Sequence, residues 1–456
     1  MQGSTCYILS MTMAAAGATA QVRLPAVPLP GLPQQSLQQT LDQAQAQSLD
    51  RLSDLRHLEI GRLIRANTRV IDADPNGEPV VRDEILALGP ADAALDHARS
   101  LGFTVDREQS IGALNIRLVV LRAPPGMSTK KALRTLRQAD PGGNYDYNHI
   151  YSGGGALLAG AAKAVSAAGT AGATQTASAA ETAGAAAHDA PASSPSAVGP
   201  LQARARIGLL DSGVDATHPV FRESVLHAWG CGNHSVPAAH GTAVASLLIG
   251  HSEVFHGVRP DAELYAADVF CGRPTGGAVD ALVAAFGWLV QEKVAVINVS
   301  LVGPKNAMLE RVIGDLINGG YVVVAAVGND GPAAPPLYPA SYPHVVGVTA
   351  VDAHNHVLVE AARGPQVMFA SPGADLAAAG TEHAYAAVRG TSFAAPFVAA
   401  LLASGLAAPS SADATAAIEA LAKTAIDLGP PGRDLTYGFG LVGADLRIDP
   451  APLIRR

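Results

Sequence analysis

Arg206-Ile-Gly-Leu-Leu-Asp-Ser-Gly-Val-Asp215 reads as a short apolar strand that runs directly into a carboxylate and a tight turn. Its Ile207–Leu210 stretch has three companions, Val294–Val299, Tyr321–Val327 and Val345–Val351. All are short, apolar and rich in β-branched residues, as expected of strands covered on both faces. Between them lie two helical stretches, Ala278–Glu292 and Asn306–Asn318. The second carries Met308, Leu309, Val312, Ile313, Leu316 and Ile317 at helical spacing, then Gly319 where a helix stop belongs. Strand–helix alternation predicts an α/β fold with a mainly parallel sheet flanked by helices.

In such sheets ligands bind beyond the carboxyl ends of the strands, so a site is expected at those ends. Asp211 closes the first strand, Ser300-Leu301-Val302-Gly303 follows the second, and Gly328-Asn329-Asp330-Gly331 follows the third. A carboxylate, an exposed backbone segment and a side-chain amide thus arrive at one edge. Ala239-His240-Gly-Thr-Ala-Val-Ala-Ser246 places a histidine at the head of a small-residue helix. Gly390-Thr-Ser-Phe-Ala-Ala-Pro396 places Ser392 at a tight turn into another. A serine hydroxyl is a poor nucleophile until a base takes its proton, and that base needs an orienting acid. Asp211, His240 and Ser392 offer those three roles. Asn329 offers an amide to a developing oxyanion, beside the Ser392 backbone N–H at a helix start. Each fragment alone is a common turn or helix entry; their combination is specific.

Four blocks carry a family resemblance: Ile207-Gly-Leu-Leu-Asp-Ser-Gly-Val-Asp215, His240-Gly-Thr, Ala325-Ala-Val-Gly-Asn-Asp-Gly331 and Gly390-Thr-Ser-Phe-Ala-Ala-Pro396. Gly257-Val-Arg-Pro260, Tyr342-Pro-His-Val-Val-Gly-Val348 and Tyr437-Gly-Phe-Gly-Leu-Val442 support them. Leu201 to about Ala444 therefore resembles the catalytic domain of the subtilisin-like serine proteases (subtilases, peptidase S8), whose triad runs in the order Asp, His, Ser. The resemblance implies a serine endopeptidase with Asp211, His240 and Ser392 as triad and Asn329 as oxyanion donor. It further implies that Ser300, Leu301, Val302 and Gly303 pair with substrate backbone and wall the pocket for the residue before the scissile bond.

Some positions depart from the family pattern. Val302 stands where glycine is common, which should narrow the pocket mouth. Ala243 and Phe397 replace histidines often seen in relatives, and neither belongs to the triad. The His251–Val258 loop lacks the asparagine-rich pattern of the family's strong calcium site, and Glu253 alone cannot supply six to eight oxygen ligands. The 14 histidines show no metal spacing, so no metal or other cofactor is expected.

Ahead of this region, 160–200 contain no Phe, Tyr, Trp, Leu, Ile or Met. Such a stretch cannot bury enough apolar surface to offset its ordering entropy, and 152–200 are expected to form a flexible Ala/Gly/Ser linker. Upstream, 21–79 hold a Pro-rich stretch and, over Ser36–Asn67, an amphipathic helix expected to pack on its own domain rather than in a dimerising coiled coil. Next come Val80–Leu88 (strand), Ala91–Leu101 (helix), Phe103–Ser110 and Ala113–Leu121 (strands), a helix from its cap at Ser128 to Ala139, and Tyr145–Tyr151 (strand). This β-α-β-β-α-β order is that of a small α+β ferredoxin-like unit over 80–151. Before a subtilase-like domain (201–456) it resembles the family's propeptide, an intramolecular chaperone and inhibitor. Strand addition at the Ser300–Gly303 edge would lay the last strand in the cleft. Tyr151–Ser152 is then the candidate self-cleavage bond, with a cut inside the linker as the alternative.

Tyr7–Ala20 is short, uncharged and ends in Ala18-Thr19-Ala20, as a signal peptide over 1–20 would; an exported, secreted or periplasmic protein is expected. Cys6 would leave with it. Cys231 and Cys271 remain, as a disulfide or as two thiols. The net charge of −8 argues against a partner bound by phosphate neutralisation, and no apolar run reaches the 18 or so residues of a membrane span. The expected partners are protein or peptide substrates and the chain's own N-terminal domain as inhibitor. Two other uses of the cleft are a silent peptide-binding role, which would need none of the four catalytic groups, and peptide ligation. Ligation needs water kept off the acyl-enzyme, and no added capping domain is evident.

Overall fold

In the computed structural model, residues 56–153 and 204–454 are described, 233 and 381 excepted. The expected signal segment, the Pro-rich stretch, much of the Ser36–Asn67 helix and nearly all of the linker lie outside them. The described remainder of that helix, α1, spans 56–66.

From β1 (Ile71–Ala73) the N-terminal region continues as β2 (Pro79–Leu88), α2 (Asp92–Ser100), β3 (Thr104–Ile111), β4 (Ile116–Arg122), α3 (Thr129–Ala139) and β5 (Asn144–Gly153). Ser128 caps α3 through the Lys131 N–H. The strands lie in the order β5-β2-β4-β3 with every pairing antiparallel, so the β-α-β-β-α-β order read from the sequence folds with its last strand beside its first. One sheet face buries Ile85, Val119, Leu121 and Tyr145 against Leu95 of α2 and Leu133 of α3.

The other face is apolar too. The run Ile116-Arg-Leu-Val-Val-Leu-Arg122 alternates two hydrophobic sets, and a strand apolar on both faces must be covered on both. Leu86, Ile111, Ile116, Leu118 and Val120 bury into the core of the C-terminal region, on α5 (Val279–Gln291) and α6 (Ala307–Asn318). At about 1.5–3 kcal/mol per buried side chain these five contribute on the order of 10 kcal/mol as an upper figure. Arg107 adds ion pairs to Glu84 and Asp280, each at 2.7 Å, but its side chain is 35% exposed and solvent screening keeps them modest. The apolar face therefore carries the contact. All described residues fall in one compact unit.

The second sheet holds β6 (Arg206–Asp211), β7 (Val225–Gly230), β8 (Glu263–Asp268), β10 (Val296–Val299), β12 (Val322–Ala326), β13 (Val346–Val351) and β14 (Val367–Pro372). Its order is β14-β13-β12-β10-β6-β8-β7, parallel throughout. The opening strand β6 lies inside it, between β10 and β8. Helices α4 (Ala239–Ile249), α7 (Thr391–Ala403) and α8 (Ser411–Thr424) complete the region with the hairpin β15 (Leu376–Ala379) and β16 (Tyr385–Val388). α4 and α7 carry one buried core with the sheet. Among the described residues no helix is long and apolar enough to cross a membrane.

Cys231 and Cys271 are bonded, 40 residues apart, which decides between the alternatives left open by the sequence. The bridge ties the end of β7 to the loop after β8. The Asp268 carboxylate accepts from the Phe270, Cys271 and Val236 N–H groups beside it. Closing a loop of that length restricts the unfolded chain by about 4 kcal/mol in the chain-entropy account. The Cys231→Ser/Cys271→Ser double variant should therefore lose roughly 2–4 kcal/mol of unfolding free energy in urea titration; an unchanged midpoint would contradict a structural role.

Candidate active site

Asp211 is the last residue of β6 and fully buried. Its carboxylate accepts from the Ser212 N–H at 2.7 Å and from His240 Nδ1 at 2.8 and 3.0 Å. A carboxylate only accepts, so Nδ1 of His240 carries the proton and Nε2 is left as a lone-pair acceptor. Nε2 is buried with no hydrogen-bond partner. Burial of the imidazole disfavours its charge, but the Asp211 charge and hydrogen bond outweigh that, and the pKa of His240 is raised above the ordinary 6.5.

Two sequence blocks are stitched together here. The Gly241 N–H donates to Ser212 Oγ at 2.9 Å, and the Asp215 N–H to Thr242 Oγ1 at 2.9 Å. A side chain on Gly241 would meet the Ser212 carbonyl oxygen at 2.1 Å, so only glycine can follow this histidine. The Asp-Ser-Gly and His-Gly-Thr fragments are one hydrogen-bonded unit that holds Asp211 against His240.

Ser392 is the second residue of α7 and fully buried. Its N–H belongs to the first turn, where helix amides have no intrahelical acceptor. Its hydroxyl donates to the Ser300 carbonyl at 3.2 Å, so the serine–histidine hydrogen bond is not formed here. Ser300 Oγ donates back to the Ser392 carbonyl at 2.9 Å and accepts from Asn298 Nδ2 at 2.8 Å. Asn298, missed at the sequence level, supports the Ser392 turn from within β10; the signal was an amide inside the apolar run Val296–Val299, which must find a partner. Asn329 Oδ1 accepts from the Thr391 N–H at 3.0 Å, which leaves Nδ2 buried and unpartnered as a donor. The neighbouring Asp330 is held by Arg56 of α1 at 2.6 Å, a contact 274 residues apart in sequence that no local pattern announces.

Ser300 to Gly303 form the expected edge, and the edge is occupied. Leu301–Val302 is a short strand, β11, paired antiparallel with β5, Leu301 opposite Gly153 and Val302 opposite Ser152. On its other side β5 pairs with β9 (Gly277–Ala278), Tyr151 opposite Gly277 and Ile150 opposite Ala278. Gly303 bonds instead to Tyr338, with two backbone hydrogen bonds of 2.9 Å. A methyl group on Gly153 would stand 3.2 Å from His240 Nε2, so the end of β5 covers the imidazole. Tyr151 is wholly buried, its ring against Gly303 and its hydroxyl donating to the Pro304 carbonyl at 2.5 Å. The expectation of a cut at Tyr151–Ser152 is corrected by this register. Strand pairing leaves Tyr151 short of His240, which the chain meets only at Gly153, two residues later.

In the His251–Val258 loop the Nδ1 atoms of His251 and His256 lie 3.1 Å apart, and Ser252 Oγ accepts from the Val254 and Phe255 N–H groups.

Compared with known families, residues 203–440, just over half of the chain, match the subtilase family, peptidase S8. The chain is 29% identical to subtilisin DY of Bacillus licheniformis over 251 residues, 53% of this chain and 90% of that protein. It is 30% identical to minor extracellular protease Epr of Bacillus subtilis over 210 residues, 44% of this chain but only 32% of Epr. The chain thus matches about a third of Epr's length. Among solved structures, fervidolysin from Fervidobacterium pennivorans, a keratinolytic enzyme related to subtilisin, superposes with a TM-score of 0.61 over 84% of this chain and 63% of its own, at 19% identity; that likeness concerns the fold. Sequence and fold agree that the chain belongs to the subtilase family of serine endopeptidases.

Proposed function

We propose that the chain is an exported serine endopeptidase made as a self-inhibited zymogen, with Asp211, His240 and Ser392 as triad and Asn329 as oxyanion donor. One observation carries this reading. The end of β5 lies as a middle strand between β9 and β11, over an imidazole whose Nδ1 is held by Asp211 and whose Nε2 is free. A peptide in that lane presents its carbonyl to Ser392. Rotation of the hydroxyl from the Ser300 carbonyl to Nε2 lets His240 take its proton as Oγ bonds to the carbonyl carbon. The oxyanion is met by Asn329 Nδ2 and the Ser392 N–H. His240 returns the proton to the leaving amine, and the C–N bond breaks. Water, deprotonated by His240, then releases the acyl group.

The inhibitor role rests on the same strand: while β5 fills the lane, substrate cannot. Export is supported by the Cys231–Cys271 bridge, since disulfides persist in oxidising compartments.

The pH profile tests the triad. A base works only when neutral, so activity should rise with pH through the His240 pKa, and the acid limb of kcat/KM should lie above that of an ordinary histidine. In Asp211→Asn the charge is gone and burial alone acts, so the limb should move to lower pH while kcat falls about 10⁴-fold. The stability sign is opposite. A raised pKa gives stability that is complete below the unfolded-state value and lost as pH rises through the folded one. A limb that stays in place in Asp211→Asn would remove His240 from the role.

A further inference from the structure

We infer that this enzyme cleaves after glycine, because Leu337 fills the space that would receive the side chain of the residue before the scissile bond. The inference rests on the peptidase reading above and names its substrate class.

The lane taken by β5 gives the geometry. A peptide in the same register has one residue opposite Leu301, in the place of Gly153. Its next residue comes opposite Ser300, whose carbonyl is 3.2 Å from Ser392 Oγ; that residue supplies the carbonyl to be attacked. Its side chain must enter the crevice beyond the carboxyl ends of the neighbouring parallel strands β10 and β12. One wall is Ser300–Gly303, the other the turn through Gly328 and Asn329.

That crevice is filled from behind. Leu337 is 4% exposed, and its Cδ1 lies where a side chain on Gly328 would begin, 2.4 Å from such a Cβ. Gly328 is held at φ +102°, a left-handed conformation suited to glycine, so the leucine abuts bare backbone. The next residue, Tyr338, is tied to Gly303 by two backbone hydrogen bonds of 2.9 Å, which anchors the segment carrying Leu337 to the first wall. Val302, 4% exposed, stands on the same wall. A substrate side chain would displace a packed leucine, and forcing added volume into a filled site costs about 1–3 kcal/mol, or about 5- to 150-fold in rate. The chain's own sequence obeys this rule: Ser152-Gly153 is followed by Gly154 and Gly155.

The test uses the full-length chain after self-processing and peptides built on Asn-His-Ile-Tyr-Ser-Gly-X-Gly, with X as Gly, Ala, Leu or Phe, cleavage being located by mass spectrometry. The expected order of kcat/KM is Gly first, Ala about tenfold lower, and Leu and Phe about a hundredfold lower. In Leu337→Gly, and more weakly in Leu337→Ala, cutting after Phe should rise at least tenfold relative to Gly. A fluorophosphonate probe on Ser392 is scored in parallel. A wild-type enzyme that labels yet cuts after Phe or Leu as readily as after Gly overturns the inference without a variant. A labelled Leu337→Gly with an unchanged order overturns it as well. A processed chain that neither labels nor cuts any peptide overturns the peptidase reading itself.

Discussion

Replacing Ser392 by alanine is expected to lower peptide hydrolysis by about six orders of magnitude, the scale known for loss of the nucleophile in subtilisin, and to leave the purified chain at full length. The change removes one oxygen from a buried side chain and its 3.2 Å bond to Ser300, so the fold should survive with a cost of about 1 kcal/mol. What is lost is the atom that bonds to carbon. The same atom would perform self-cleavage, so the alanine form should keep β5 in the cleft and its original N-terminus. N-terminal sequencing reads this directly. Processing of the pure Ser392→Ala protein, with no other peptidase present, would refute self-cleavage even if hydrolysis were lost. The wild-type chain should instead gain activity as its full-length form disappears.

Removal of the Asn329 amide should cost about 10²–10³ in kcat with little change in KM, because the oxyanion it serves exists only in the transition state; that magnitude too is known from subtilisin. The buried, unpartnered Nδ2 is the reason to expect so large an effect. Asn329→Ala also frees the Thr391 N–H, which Oδ1 now accepts at 3.0 Å, so part of the loss could come from a shifted α7 start. Asn329→Asp separates the two causes: it keeps the acceptor for Thr391, removes the donor and sets a carboxylate beside the oxyanion. It should be at least as slow as the alanine form. An aspartate variant near wild-type rate would assign Asn329 a purely structural role.

Much of the fold was legible because burial leaves a pattern in the chain. The four strand runs around Val294–Val299 and Val345–Val351 were found to within a residue or two, since strands covered on both faces must be apolar throughout. Ser128 and Gly319 marked helix ends by local hydrogen bonding and chain reversal. The candidate catalytic groups were legible for a different reason: each sits at a strand end or helix start, and Gly241 is forced by the Ser212 carbonyl. Tyr151 was misplaced because a strand's register is set by its partners, here β9 and β11, more than a hundred residues away. Leu337 and Arg56 gave no signal, since a leucine in a Pro-rich loop and an arginine on a polar helix are ordinary locally.

By itself the sequence determined a parallel α/β domain of the subtilase family and an N-terminal α+β unit, and it named the candidates for nucleophile, base, acid and oxyanion donor. Those follow from local periodicity and from residue types that one chemistry requires. Only the tertiary structure decided that the N-terminal sheet buries its second face on α5 and α6, that Cys231 meets Cys271, that Gly153 rather than Tyr151 covers His240, and that Leu337 closes the space beside Gly328. Each is a contact between segments far apart in the chain, settled by which apolar surfaces exclude water together and not by the neighbours of any residue along the chain.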